Sequence, residues 1–133
     1  MKSQTEDKEL IDLVLFSDLH VDYKYTEGNS NTCGRALCCR SDSGLPSKPS
    51  EAAAQWGDFN CDLPAPTMRV ILDHMKEMKP DAIFWTGDSI PHNLATLNKD
   101  ENIQIMKDVT KEIGDRLDGI SIYPSIGNHD TYP

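Results

Sequence analysis

The sequence predicts an α/β fold built on a parallel sheet, in the order strand, long loop, helix, strand, helix, strand. Three observations predict it. Three short apolar runs, at residues 10–17, 81–86 and 120–126, read as strands. Two longer stretches carry apolar side chains at intervals of three and four, which is the helical period. Strands and helices alternate, and that order implies right-handed crossovers and parallel pairing.

Taken in order, residues 1–9 are polar and acidic and are expected to form a disordered tail, with no basic region or apolar stretch that would mark a signal peptide. Residues 10–17 are nearly all apolar and branched, which suits a strand buried on both faces. Residues 21–64 hold Gly, Ser, Asn, Pro and every cysteine with little periodicity, so they read as one long loop. A loop of that length is uncommon in a compact domain and usually functional. The helical period begins at Pro66, with Met68, Ile71, Leu72, Met75 and Met78 on one stripe, and Pro80 stops it. The run at 81–86 is the second strand. A second helix over roughly 99–117 places Ile103, Met106, Val109, Ile113 and Leu117 on one face, and 120–126 is the third strand.

One domain fits in 133 residues. The net charge of −9 disfavours nucleic acid and anionic membrane surfaces, which need clustered Lys and Arg. It leaves anionic substrates open, because a bound cation reverses the local field. No apolar run approaches the roughly 18 residues that a membrane helix requires.

The four cysteines, Cys33, Cys38, Cys39 and Cys61, lie in one loop. They allow three pairings, and joining the adjacent Cys38 and Cys39 is strained. Four free thiols and a structural zinc site are the other readings, although the usual C-x2-C spacing is absent. Their density in one loop favours disulfides, and with them an oxidising compartment.

Each predicted strand runs into polar residues: SDLH (Ser17 to His20), TGDSIPH (Thr86 to His92) and GNHD (Gly127 to Asp130). Ligands in open α/β sheets bind beyond the carboxyl ends of the strands. Asp18, His20, Asp88, His92, Asn128 and His129 would therefore share one edge. Singly, each has a plainer explanation: a surface or loop histidine, a turn aspartate, a helix cap. Together, oxygen and imidazole donors suit zinc, manganese or iron. Asp18 and His20, two apart, would share a strand face. Asp88 has two oxygens and can bridge two ions. Gly87 and Gly127 would permit sharp turns before the ligands.

The motifs D-x-H, GD and GNH[DE], in that order, resemble the calcineurin-like metallophosphoesterases. DLHVDYKYTEG, LCCRSDSGLP, WGDFNCDLP, WTGDSIPH and YPSIGNHD together resemble the acid sphingomyelinase family, over about residues 10–133. The resemblance implies that these residues form the N-terminal part of a metallophosphoesterase domain, the first half of a β-sandwich with flanking helices and a disulfide-stapled insertion at 21–64. It implies two Zn2+ ions, with Asp18 and His20 on the first, Asp88 bridging and Asn128 on the second. His92 and His129 would stand near the phosphate, stabilising charge or protonating the leaving oxygen. It also implies the pairs Cys33–Cys38 and Cys39–Cys61.

The implied reaction is hydrolysis of sphingomyelin to ceramide and phosphocholine at a membrane surface, by a secreted or lysosomal enzyme. Two metals about 3.5–4 Å apart clamp the attacking and leaving oxygens of such a displacement and lower the pKa of a bound water. An imidazole donates the proton that the leaving oxygen needs. In the family, three further histidine ligands come later in the chain, whereas this sequence has only His20, His74, His92 and His129, with His74 expected on a helix surface. The 133 residues are therefore expected to be a partial chain, incomplete and inactive alone, with an open edge strand. The alternatives are a nucleotide or other phosphodiester hydrolase of the same family, or a non-catalytic interaction module.

Overall fold

The computed structural model describes residues 10–93 and 98–131; the expected tail at 1–9 lies outside the described residues. The three expected strands form one parallel sheet. Strand β1 (Leu13–Phe16) gives rise to the long loop, whose two ends pair as the short parallel strands β2 (Val21–Asp22) and β3 (Leu63–Pro64). Helix α1 (Ala65–Glu77), strand β4 (Ala82–Trp85), helix α2 (Lys99–Arg116) and strand β5 (Ser121–Pro124) complete the order. The sheet runs β1-β4-β5, with Leu13 opposite Ala82 and Ala82 opposite Ser121, so the three C-terminal ends lie level.

Pro66 sits in the first turn of α1, where its missing N–H leaves no bond unmade. The helix ends at Glu77, Lys79 takes a left-handed φ of 52°, and Pro80 follows. Asn98 caps α2: its side chain accepts from the N–H groups of Asp100 and Glu101, and Glu101 answers at the Asn98 N–H.

Alternate strand residues face the helices. Phe16, Ile83 and Trp85 pack with Met68, Leu72 and Met75 of α1 and with Val109, Ile113 and Leu117 at α2. The expectation of strands buried on both faces is corrected here. Leu13, Leu15, Phe84 and Tyr123 lie on the other face and are exposed, because both helices cover one side only. The α2 stripe is also corrected. Asn102, Val109 and Ile113 are buried, whereas Ile103 is exposed and Met106 half-buried; counting only apolar residues passed over Asn102. In α1 the stripe ends at Met75, and Met78, beyond the last turn, is exposed.

The 21–64 segment is more ordered than a structureless loop. Besides β2 and β3 it holds bridges between Tyr25 and Arg40 and between Ser30 and Ala52, and two single 3-10 turns. Disulfides join Cys33 to Cys38 and Cys39 to Cys61, which leaves no free cysteine and removes the structural zinc reading of the thiols.

Ionic contacts tie the helices. Arg69 grips Glu112 at 2.6 and 2.9 Å, Tyr23 donates to the same carboxylate at 3.2 Å, and Arg116 reaches Asp73 at 2.6 Å. The Arg69 hydrogen bond, opposed by burial, holds the Glu112 carboxyl below its ordinary 4.5. A depressed folded-state pKa contributes stability above the unfolded value, and that stability is lost as pH falls through the folded one. Glu112→Gln is therefore expected to cost about 1 kcal/mol at neutral pH, and variant and wild type should converge as pH falls below 4.5. Leu72→Ala, at a fully buried position, should cost about 2–5 kcal/mol in urea denaturation at any pH.

Candidate metal centre

The strand ends meet because their backbones stay bonded past the sheet. Thr86 N–H donates to Phe16 O at 3.1 Å, Asp18 N–H to Gly87 O at 3.1 Å, His20 N–H to Asp88 O at 3.0 Å and Val21 N–H to Ser89 O at 2.8 Å. Three of the residues expected to ligate, Asp18, His20 and Asp88, adopt left-handed φ of 56°, 41° and 57°. That backbone is costly for residues with a Cβ and clusters at functional sites. Asp18 and His20 thus converge through this turn, beyond the end of β1, rather than by alternation along a strand.

The third strand end is attached by Asp130. Its buried carboxylate accepts from Asp88 N–H (2.8 Å), Ser89 N–H (2.8 Å) and Gly127 N–H (3.0 Å). His129 N–H returns a bond to Asp88 Oδ1 at 2.7 Å. The two motif glycines touch here. A Cβ on Gly87 would lie 2.1 Å from the Gly127 nitrogen, and one on Gly127 would lie 2.3 Å from Asp88 Oδ1. Gly87 also has a φ of 93°, so it serves a turn as expected; Gly127 is required by close approach instead.

Two groups of donors result, and His20 belongs to both. Asp18, His20 and Asp88 offer ligand atoms within 4.8 Å of one another, and so do His20, His92 and His129. The His20 ring centroid lies 3.9 Å from that of His92 and 4.9 Å from that of His129. His20 Nδ1 is 2.8 Å from the Ile90 carbonyl, which can only accept, so Nδ1 carries the proton. Its Nε2 then faces Asp18 Oδ1 at 3.7 Å, an arrangement that calls for a proton or a cation between them. His129 Nδ1 is buried without a hydrogen-bond partner among the described residues. Such an atom calls for an explanation, and a bound ion is one. The Asp18 carboxyl is held below its ordinary range chiefly by hydrogen bonding from Ser17, which outweighs the opposing desolvation, with His20 adding less. Asn128 is exposed on the same turn, and its carbonyl accepts from Thr131 Oγ1 at 3.0 Å. His74 lies on the α1 surface, exposed as expected. Cys39, Asp58 and Cys61 also gather, but disulfide sulfurs offer no thiolate to a metal.

Two residues escaped the sequence reading. Asp130 is the last letter of GNHD, and nothing in the sequence alone marks it as the anchor of the turn. Asp62 follows Cys61 and grips His92 twice, accepting its N–H at 2.6 Å and its ring Nδ1–H at 2.7 Å. The two bonds fix the ring through its Nδ1 side. Nothing in sequence spacing links positions 62 and 92; only the folded loop brings them together.

No family profile matches the chain. Curated proteins do. The chain is 36% identical over 123 residues, 90% of its length, to a sphingomyelin phosphodiesterase of Bos taurus, and 33% identical over 123 residues to that of Homo sapiens. The chain is a homologue of the acid sphingomyelinase family. A third relative, sphingomyelin phosphodiesterase B of Dictyostelium discoideum, is 34% identical over 121 residues. The chain spans about a fifth of the length of these sphingomyelin phosphodiesterases, 20%, 20% and 19% respectively.

Asp130→Asn keeps the size but leaves one oxygen where two carboxylate oxygens accept three N–H groups. It should cost about 1–3 kcal/mol in denaturation, the penalty of a buried donor left unmet. It should also speed amide hydrogen exchange in the turn carrying Asn128 and His129, which loses its anchor. Unchanged exchange there would show that Asp130 does not position the turn.

Proposed function

We propose that the centre is the phosphate-binding end of a two-zinc phosphodiester hydrolase of the calcineurin-like metallophosphoesterase type. Its substrate would be sphingomyelin, its products ceramide and phosphocholine. The observation that carries this reading is the sharing of His20 between the two donor groups, with its Nε2 turned toward Asp18. The names of the homologues supply the substrate class. The two disulfides support an oxidising compartment, hence a secreted or lysosomal placement.

The donor set, carboxylate oxygens with neutral imidazoles, fits zinc. Asp18 and His20 would hold one ion, Asp88 would bridge, and Asn128 would hold the second. Bound there, the pair would supply charge neutralisation for the phosphate and a water of lowered pKa.

The remaining work falls to side chains of this chain. Asp88 Oδ1 already accepts from His129 N–H, which orients the carboxylate so that Oδ2 stays available. Asp62 holds the His92 ring through Nδ1–H, so a doubly protonated His92 would pass its Nε2 proton to the departing alkoxide oxygen and be left as the neutral Nδ1–H tautomer. His129, at 4.9 Å from His92 between ring centroids, lies on the same side to stabilise negative charge on the phosphate oxygens.

In the natural protein that carries this chain, Asp88→Asn should lower sphingomyelin turnover by about 10³-fold or more, since metal charge stabilisation is worth several kcal/mol. Asp62→Asn should lower it by about 10–100-fold, the usual cost of losing the partner that orients a catalytic or ligating histidine. Dialysis against a chelator should abolish turnover, and zinc should restore it. Hydrolysis of nucleotide triphosphates without sphingomyelin turnover would overturn the substrate assignment.

A further inference from the structure

Between Lys48 and Arg69 the chain has no basic residue and three acidic ones, Glu51, Asp58 and Asp62. In the middle of this stretch Trp56 and Phe59 turn their rings to solvent, at 56% and 110% relative exposure. The turn that carries them is held at many points. Gly57 N–H donates to Ala54 O at 3.3 Å, and Cys61 N–H to Asp58 O at 3.0 Å. The Asp58 carboxylate accepts from Asn60 N–H at 2.9 Å and from Asn31 Nδ2 at 2.8 Å. Trp56 O accepts from Thr67 Oγ1 at 2.7 Å, and Cys61 is bonded to Cys39. The rings project because a fixed scaffold holds them out. Phe59 in particular gains nothing from its own fold.

The same turn walls a groove of about 580 Å³ that is also lined by Asp18, His20 and Asp62. An apolar group lying on Trp56 and Phe59 and a phosphodiester lying at Asp18 and His20 would thus occupy one continuous cavity. Indole and phenyl rings favour the boundary between headgroups and acyl chains. The absence of Lys and Arg from the stretch, and the net charge of −9, give no attraction to an anionic leaflet.

We propose that the Trp56–Phe59 turn is the element with which the protein engages a zwitterionic phospholipid surface, so that the groove opens onto the headgroups. This rests on the reading of the centre as a lipid phosphodiesterase, and the experiment separates the two. Binding of the natural protein is measured by flotation with vesicles of pure phosphatidylcholine, a readout that needs no turnover. Hydrolysis is measured separately with water-soluble bis(4-nitrophenyl) phosphate and with sphingomyelin vesicles.

Burying an aromatic ring is worth about 1.5–3 kcal/mol, so each ring lost should weaken partitioning about tenfold or more. Trp56→Ala with Phe59→Ala is therefore expected to lower vesicle binding about a hundredfold or more and to slow hydrolysis of vesicular sphingomyelin. Turnover of the soluble diester, which needs no surface, should fall by a smaller factor than turnover of vesicular sphingomyelin. Trp56→Phe with Phe59→Leu, which keeps apolar bulk, should retain most of the binding. Should the double alanine variant misfold, Phe59→Ser alone gives the reading, since that ring has no packing to lose. Unchanged flotation of the double alanine variant or of Phe59→Ser, or binding that appears only when phosphatidylserine is added, overturns the proposal. Wild-type protein that floats but cleaves neither diester would sink the functional reading while leaving the flotation result to stand by itself.

Discussion

The site depends on one buried carboxylate. Asp130 takes N–H groups from two neighbouring strand ends, Asp88 and Ser89 after β4 and Gly127 after β5. A parallel sheet brings these ends level but does not join them, since ladder bonding stops where the strands stop. Between β1 and β4 the joining is done by backbone bonds that continue past the sheet. Between β4 and β5 the side chain of Asp130 does it, and the absence of Cβ atoms at Gly87 and Gly127 lets the two turns close. Hydrogen bonds to an ionised acceptor are the stronger kind, about 1.5–3 kcal/mol each. Three of them offset the left-handed backbone at Asp18, His20 and Asp88, which costs on the order of 1–3 kcal/mol per residue.

The cystine loop supplies what the sheet lacks. It leaves at Val21–Asp22 and returns at Leu63–Pro64, and these two pairs lie side by side. Cys39–Cys61 fixes the return just before Asp62, whose carboxylate then meets His92. On the outgoing side Arg40, next to Cys39, makes a bidentate pair with the buried Asp22 at 2.8 and 3.0 Å and reaches Asn93 at 3.1 Å. Thus His92 and Asn93, at the far end of the β4 loop, are each held from the cysteine-rich segment. The disulfides act on the site through these two carboxylates.

Much of this was legible in the sequence, because it depended on local pattern. The runs at 10–17, 81–86 and 120–126 each contain an observed strand, and the two amphipathic stretches became helices ending where Pro80 and Leu117 indicated. The three polar strand ends were recognisable because each sits directly after an apolar run. What was not legible depended on contacts distant in the chain. Nothing in the spacing of Asp62 and His92 marks them as partners. Asn102 in the buried face of α2 was passed over because apolar counting ignores a polar core residue. The apolar character of Leu13 and Leu15 suggests burial on both faces of the first strand, whereas composition reports only the chemistry of a face and not whether the fold covers it.

The geometry of His20 links the fold to the chemistry. Its Nδ1 proton is committed to the Ile90 carbonyl, and Ile90 is itself fully buried two residues after Asp88. The ring therefore cannot turn without breaking a buried hydrogen bond, and Nε2 must look toward Asp18. The donors are oriented by bonds within the chain itself, with the tautomer of His20 set by Ile90, that of His92 by Asp62, and the orientation of Asp88 by His129 N–H. Preorganisation of this kind moves the cost of ordering donors from the binding step into the folding of the chain. It also gives the long loop a role at the site: the strand ends hold the His20 ring through Ile90, whereas the His92 ring takes its partner, Asp62, from the loop.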